Sequence, residues 1–385
     1  MVVMKFGGAA LQMDAGFSDM AAIVRGEHDR PRLVVVSAVG TTTRDLATAA
    51  TMAVSGDVAP ALARVDTIEA SHLARCAELF TDAAALADVY AGITGLFQEV
   101  RTIVRSVSIM RQLSLRTMDR LLAYGEDAAR MMAARYLRAQ QVEVIEVDAR
   151  SVIVTDSAYG SAAPLVEKSR IRASSLRDQM SASPNTVVVI QGFVGQAEDG
   201  TTTTMGKESS NLTAAFLGQL LNASEIVIWT DVEGIRSIDP KFHIDSKVRA
   251  ALSYRQARLA AEQGLKLIYP TMIAPAEKGN IPIRIASVRN PSGDATVING
   301  TEHSGTPVII GEVAGDAATI TVMFARVHDV IGALARLPVS VQDSDMISVS
   351  ADVAGESFRI IVSTDAAATV AHHLHDQLCR KHQDQ

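Results

Sequence analysis

Residues 200–240, GTTTTMGKESSNLTAAFLGQLLNASEIVIWTDVEGIRSIDP, run from a Gly/Thr/Ser-rich turn through an apolar helix and a β-branched strand to a Thr-Asp loop. Helix followed by strand, each apolar and short, is the unit of an α/β sheet. The free N–H groups at a helix start stabilise phosphate or carboxylate, so the turn from Gly200 to Ser209 is read as an anion-binding element. It is not a Walker loop. That motif is G-x-x-x-x-G-K-[ST], whereas five residues separate Gly200 from Gly206 and Glu208 follows Lys207.

Working outward, further β-branched runs at 2–6, 32–37, 142–147, 186–191 and 225–229 alternate with helical spacing at 17–27, 61–75, 83–107, 115–138, 164–182 and 209–221. Ser114 and Ser209 are the expected N-caps. Continuously apolar strands such as LVVVS and TVVVIQGF are expected of central parallel strands covered on both faces. An open sheet of this kind binds its ligand at the C-terminal strand ends, which points to Gly7–Gly8, Ser37–Gly40, Gly192 and Thr230–Asp231. After Pro307 the pattern changes. A strand at 308–310 precedes strand 319–324, helix 327–337, strands 339–350 and 357–363 and a helix from Asp365, a ferredoxin-like order lacking its last strand, whose edge place 308–310 can fill. The turn-rich stretches at 290–294 and 311–316 bracket the boundary.

Bulk properties narrow the function. A chain of 385 residues, 48% hydrophobic, can bury a large core and is expected to form more than one domain. A net charge of −7 supplies no global field for nucleic acid or an anionic membrane, so neither is an expected partner. Two cysteines, Cys76 and Cys379, without zinc spacing, fit a reduced, cytoplasmic setting, and no run approaches the length of a membrane helix.

The chemistry-bearing groups lie at the turns. Lys5 ends the first strand before Gly7-Gly8, where a cation can stabilise a phosphoryl group in transit, although a lysine there is commonly solvated. Ser37-Ala-Val-Gly repeats the arrangement without charge. Glu126 lies in a long helix, either as a solvated acid or as an inward carboxylate that orients an ammonium. Thr230-Asp231, Asp239-Pro240-Lys241 and Gly264-Leu-Lys266 add donors and cations of the distributed kind that an ATP-type ligand requires.

In this order these residues resemble the aspartate kinases of the amino acid kinase superfamily. The family's Lys-Phe-Gly-Gly-Thr-Ser is matched by Lys5-Phe6-Gly7-Gly8-Ala9-Ala10, and its Ser-x-Arg-Thr-x-Asp helix leading to Gly-Glu by Ser114 to Asp119 and Gly125-Glu126. Gln191-Gly-Phe-Val-Gly195, Thr203-Thr-Met-Gly206, Trp229-Thr-Asp-Val-Glu-Gly234 and Asn280-Ile-Pro-Ile-Arg284 follow. The resemblance implies the amino acid kinase fold over residues 1–300, a three-layer α/β/α arrangement with a largely parallel central sheet. A small ferredoxin-like α+β domain of the ACT type over 301–385 would follow, reduced to one module and suited to dimerisation.

It also implies transfer of a phosphoryl group from ATP, with Mg²⁺, to the side-chain carboxylate of L-aspartate by a homodimer. Lys5 and Lys207 are the implied catalytic residues. Ala9, Glu126, Lys207, Ser210 and Asn211 would meet the amino-acid substrate, with Glu126 receiving its amine. Lys5, Gly7, Gly8, Ser37, Thr230, Asp231, Gly234, Arg236, Lys241 and Lys266 would hold the nucleotide, and no metal-ligating residue is assigned. The departures cluster: the family's Gly-Arg-Gly-Gly-Ser-Asp is Gly206-Lys207-Glu208-Ser209-Ser210-Asn211, which replaces a planar two-point clamp by a lysine. A kinase for a related amino-acid carboxylate, or a non-catalytic regulatory homologue, is the alternative that these changes leave open.

Overall fold

The computed structural model describes residues 1–183, 185–239, 242, 246–338, 341, 345–352 and 356–379. The chain divides into two compact units, one of residues 1–232, 274–283 and 287–291 and the other of 233–273, 284–286 and 292–385. The chain therefore crosses between them several times.

The first unit contains β1 (Val2–Phe6), β2 (Arg32–Val36), β3 (Val144–Val147), β4 (Val154–Thr155), β5 (Val187–Gln191), β6 (Val194–Ala197), β7 (Thr202–Thr204) and β8 (Glu225–Thr230). Its central sheet has the order β3-β5-β2-β1-β8, every pair parallel. The residues of β1, β2 and β5 are all buried, which explains why these strands read as unbroken apolar runs. Helix Leu115–Ala139 packs on β2, β3 and β5, and helix Ser209–Leu221 packs on β1, β2 and β8. Helices Thr42–Val54, Val58–Leu79 and Ala83–Met110 bundle with the former, while Val166–Ala182 backs the latter. The result is the three-layer α/β/α arrangement expected.

A second, three-stranded sheet, β4-β6-β7, corrects the reading of the opening stretch. Thr202–Thr204 is a strand antiparallel to β6, and Gly200, at φ +84°, turns the hairpin. The β-branched threonines favour the strand, so only Gly206 to Glu208 leads into the helix. Ser114 caps its helix by accepting from the Thr117 N–H at 3.1 Å. Ser209 does not cap. It is the first helical residue, and the cap position belongs to Glu208 in a left-handed conformation.

The second unit holds β9 (Ala251–Ser253) and, parallel to it, β11 (Ala295–Asn299); of β10 (Ile283–Ser287), Arg284–Ala286 belong here. Ser253 and Gln256 form a reciprocal capping box at the start of helix Tyr254–Glu262. The strands β12 (Val308–Ala314), β13 (Ala317–Met323), β14 (Met346–Ala351) and β15 (Ser357–Ser363) form an antiparallel sheet of order β12-β13-β15-β14. The strand preceding the βαββα run thus takes the edge beside β13, as its sequence suggested. Helices Val327–Leu334 and Thr364–Cys379 pack together, and Ile309, Ile320, Val322, Phe358, Ile360, Val370 and Leu374 share the core beneath them. Of the strand expected at 339–350, residues 339–340 and 342–344 lie outside the described residues. Among the described residues no helix is long and apolar enough to cross a membrane.

Candidate active site

The candidate site forms in the first unit, where β1, β2 and β5 end. Lys5 stands in β1 between Val35 of β2 and Ile228 of β8, and its side chain is only 6% exposed. The commoner fate of such a lysine, solvation, does not apply. Its Nζ lies over Gly7, 3.5 Å from the place where a Cβ on that residue would stand. At Gly8 a Cβ would meet the Ala38 carbonyl oxygen at 2.3 Å, so glycine is obligatory where the β1 and β2 turns approach each other. The Gly40 N–H donates to the Gly8 oxygen at 3.1 Å and the Ser37 N–H to that of Phe6 at 3.2 Å, joining the two turns.

Glu126 settles as the inward carboxylate. It is 4% exposed, one of its oxygens accepts from the Ala38 N–H at 3.3 Å, and Oε2 has no partner. Gly125 makes this possible, since a Cβ there would press on Ala38 and Thr42 at 3.1 Å. Burial pushes the Glu126 carboxyl up to about 8. Burial likewise brings the Lys5 amine down to about 8, opposed by the negative charges of Glu208 and Glu126. One buried cation therefore faces two carboxylates around the strand ends.

The start of helix Ser209–Leu221 closes the site. Ser210 lies so close to Gly192 that a Cβ on the glycine would be 2.6 Å from the serine Cβ, and the Thr213 hydroxyl accepts from the Phe193 N–H at 3.0 Å. Ser210 and Asn211 are buried, whereas Ala9 and Lys207 are exposed. The Ser209 hydroxyl and the Asn211 side-chain oxygen are buried without partners, as is Glu126 Oε2. Buried polar atoms normally find hydrogen bonds, so this set is arranged to meet a donor-rich ligand group.

The remaining sequence-derived positions distribute over both units. In the first, Trp229 stacks on Phe6 with centroids 6.2 Å apart, its oxygen accepts from the Gly7 N–H, and the Thr230 hydroxyl donates to Asp231 at 3.0 Å. In the second, Gly234 has φ +113° and a Cβ there would lie 2.7 Å from the Thr296 hydroxyl. Arg236 donates to the Ser246 carbonyl at 2.7 Å and to Glu233 at 3.2 Å, so its guanidinium is tied within its own unit. Lys266 is exposed, and Lys241 lies outside the described residues.

Two buried networks centre on residues that the sequence reading quoted as motif positions without assigning them a role. Asp119 is fully buried and accepts from the Gly160 and Thr204 N–H groups, each at 2.9 Å, and from the Thr204 hydroxyl at 2.7 Å. Gln191, also fully buried, donates to Asp127 and Asp148 at 2.9 Å, and Arg150 pairs with both acids. The second network ties the end of β5 to the residue beside Glu126. A glutamine inside the apolar run TVVVIQGF was the one available signal.

A parallel sheet with glycine turns at its strand ends thus brings a buried lysine and an inward carboxyl to one place. Residues 1–287 match the model of the Amino acid kinase family, and the chain belongs to it. Among curated proteins it is similar to Aspartokinase 1, chloroplastic, of Arabidopsis thaliana, 27% identical over 340 residues, 87% of this chain and 58% of the relative. Lysine-sensitive aspartokinase 3 of Escherichia coli is 28% identical over 309 residues, 78% of this chain and 65% of that protein. The chain thus spans between about half and two thirds of the length of such relatives. In fold it is similar to E. coli aspartokinase III in complex with lysine and aspartate (TM-score 0.81, 19% identity, 98% of this chain and 99% of that one). The aspartate kinase of Clostridium acetobutylicum has a TM-score of 0.76 at 17% identity, over 98% and 100% of the two chains.

Proposed function

We propose that this chain is an ATP-dependent kinase that phosphorylates the side-chain carboxylate of L-aspartate, giving an acyl phosphate. The observation that carries this reading is the convergence of Lys5, Glu126 and the start of helix Ser209–Leu221 at the strand ends of a chain from the Amino acid kinase family. The curated relatives are named aspartokinases, and one related E. coli structure is of aspartokinase III with aspartate and ADP.

Transfer of this kind depends on positioning and on neutralising charge in the transferring group. Lys5 supplies the fixed cation, already desolvated and therefore stronger than in water. The substrate ammonium meets Glu126 Oε2 with the Asn211 and Ser209 oxygens, and Lys207 takes the α-carboxylate as a point charge. Thr230, Asp231, Gly234, Lys241 and Lys266 are proposed for the nucleotide, with Gly7, Gly8 and Ser37 at its phosphates. Among the described residues no group of three acidic, histidine or cysteine side chains is placed to hold a metal ion. Mg²⁺ would be carried by the nucleotide phosphates, whose charge it would neutralise. Residues 301–385 would serve a two-fold homodimer.

The test is incubation with Mg-ATP, L-aspartate and hydroxylamine, which traps the acyl phosphate as a hydroxamate. Wild type is expected to give signal, with Lys5→Ala lowering it by on the order of 10²–10³. A wild-type signal no higher than that of Lys5→Ala refutes the proposal.

A further inference from the structure

Strand β7 is the edge of the sheet β4-β6-β7, and Gly206 and Lys207 follow shortly after its last residue, Thr204. An edge strand that runs into a loop frays unless its free groups are met. Here they are met by a carboxylate. The Thr204 N–H and hydroxyl both donate to Asp119, at 2.9 and 2.7 Å, while the Thr204 carbonyl receives the Ala162 N–H at 2.9 Å. Asp119 lies on helix Leu115–Ala139, about two turns before Glu126 and on the same face.

The same Asp119 oxygen receives the Gly160 N–H at 2.9 Å, and the turn so held is the one on which Gly206 rests. A Cβ on Gly206 would stand 3.8 Å from the Gly160 oxygen and from the Ser161 Cα. The Tyr159 hydroxyl, in that turn, lies 2.8 Å from the Thr201 hydroxyl at the other end of the hairpin strand. There Arg150 donates from Nε to the Thr202 hydroxyl at 3.1 Å while its two terminal nitrogens grip both oxygens of Asp127, the residue after Glu126. Strand β7 is therefore fixed at both ends to the helix that carries Glu126.

We infer that Asp119 is a positioning residue for the acceptor amino acid: it holds the loop at 205–208 at a set distance from Glu126, so that the α-carboxylate and the α-amine are received together. The inference rests on the kinase reading above, which gives Lys207 the carboxylate and Glu126 the amine. Lys207 is exposed, so its place is set by the backbone that leads to it. Lys5, Gly7, Thr230 and Asp231 stand on or just after β1 and β8, in the other sheet, so release of β7 spares the nucleotide.

The experiment combines hydroxamate kinetics with hydrogen exchange of the full chain. Asp119→Ala is expected to raise the aspartate KM about tenfold, as for lost hydrogen bonds to a charged group, with kcat and the ATP KM within about twofold. Asp119→Asn keeps an oxygen for the two N–H groups and can donate its amide to the Thr204 hydroxyl, so it is expected to bring the KM back to within about threefold of wild type. Without ligands, amide exchange in Asp119→Ala is expected to quicken about tenfold over 204–208 and to stay unchanged over 2–6 and 187–191. If Asp119→Ala does not fold, Thr204→Val removes one of the three bonds and is expected to raise the aspartate KM about threefold. An unchanged aspartate KM, an Asp119→Asn variant as impaired as Asp119→Ala, or exchange that quickens equally over 2–6 and 187–191 overturns the positioning role. A wild type without hydroxamate signal overturns the kinase reading and the substrate role with it, even where the exchange contrast shows the loop to be fixed by Asp119.

Discussion

Replacing Glu126 by glutamine separates the cost of burying this acid from its use. In the folded chain burial raises its pKa from 4.5 to about 8. Between those values the unfolded chain has lost the proton that the folded chain keeps, so protons bound are fewer in the unfolded state and stability falls as pH rises. The contribution is fully present below pH 4.5 and is lost as pH passes through about 8. At about 1.4 kcal/mol per unit the whole window is worth on the order of 5 kcal/mol. Glu126→Gln cannot ionise, so the melting temperature of the variant relative to wild type is expected to climb steadily from pH 5 to pH 8. The assay is thermal unfolding of both proteins, followed by circular dichroism across that range. Parallel curves would refute the inference that this carboxyl is buried at the cost of its charge. Activity moves the other way. A substrate ammonium prefers the ionised carboxylate, so the wild-type aspartate KM is expected to fall towards pH 8, while that of Glu126→Gln stays high and flat.

Three further substitutions test the neighbouring residues. Lys207→Arg restores a planar fork and is expected to lower the aspartate KM by about tenfold, as for one charged hydrogen bond gained; an unchanged KM removes Lys207 from the α-carboxylate. Glu208 has φ +60°, so Glu208→Gly is expected to relieve about 1 kcal/mol of left-handed strain and raise the melting temperature. Because the Glu208 charge raises the Lys5 pKa, the same variant is expected to shift the alkaline limb of the activity profile to lower pH, and an unmoved limb would show that the two groups do not interact. Gly8→Ala places a Cβ 2.3 Å from the Ala38 oxygen and is expected to cost about 1–3 kcal/mol in urea unfolding with activity lost alongside; a neutral change would show that the two turns are free to separate.

The central sheet was legible because strands buried on both faces must be apolar at every position, and the elements at 2–6, 83–110 and 209–221 stand close to where periodicity puts them. The strand-end rule likewise located Gly7–Gly8, Ser37–Gly40 and Gly192 without coordinates. Local pattern failed where neighbours decide. Gly200 and Thr202–Thr204 carry turn composition, yet β6 recruits them into a hairpin. Ser209 is a good cap by type, but the left-handed Glu208 takes the position.

By itself the sequence determined the layers, the parallel strands and the turns that carry chemistry, since these follow from hydrophobic period and glycine placement along the chain. Only the tertiary structure decided that Lys5 and Glu126 are buried and that Arg236 is held by Glu233 and Ser246. Desolvation and hydrogen-bond satisfaction depend on atoms brought from distant positions, such as Ala38 against Glu126, and spacing along one helix or strand does not record them.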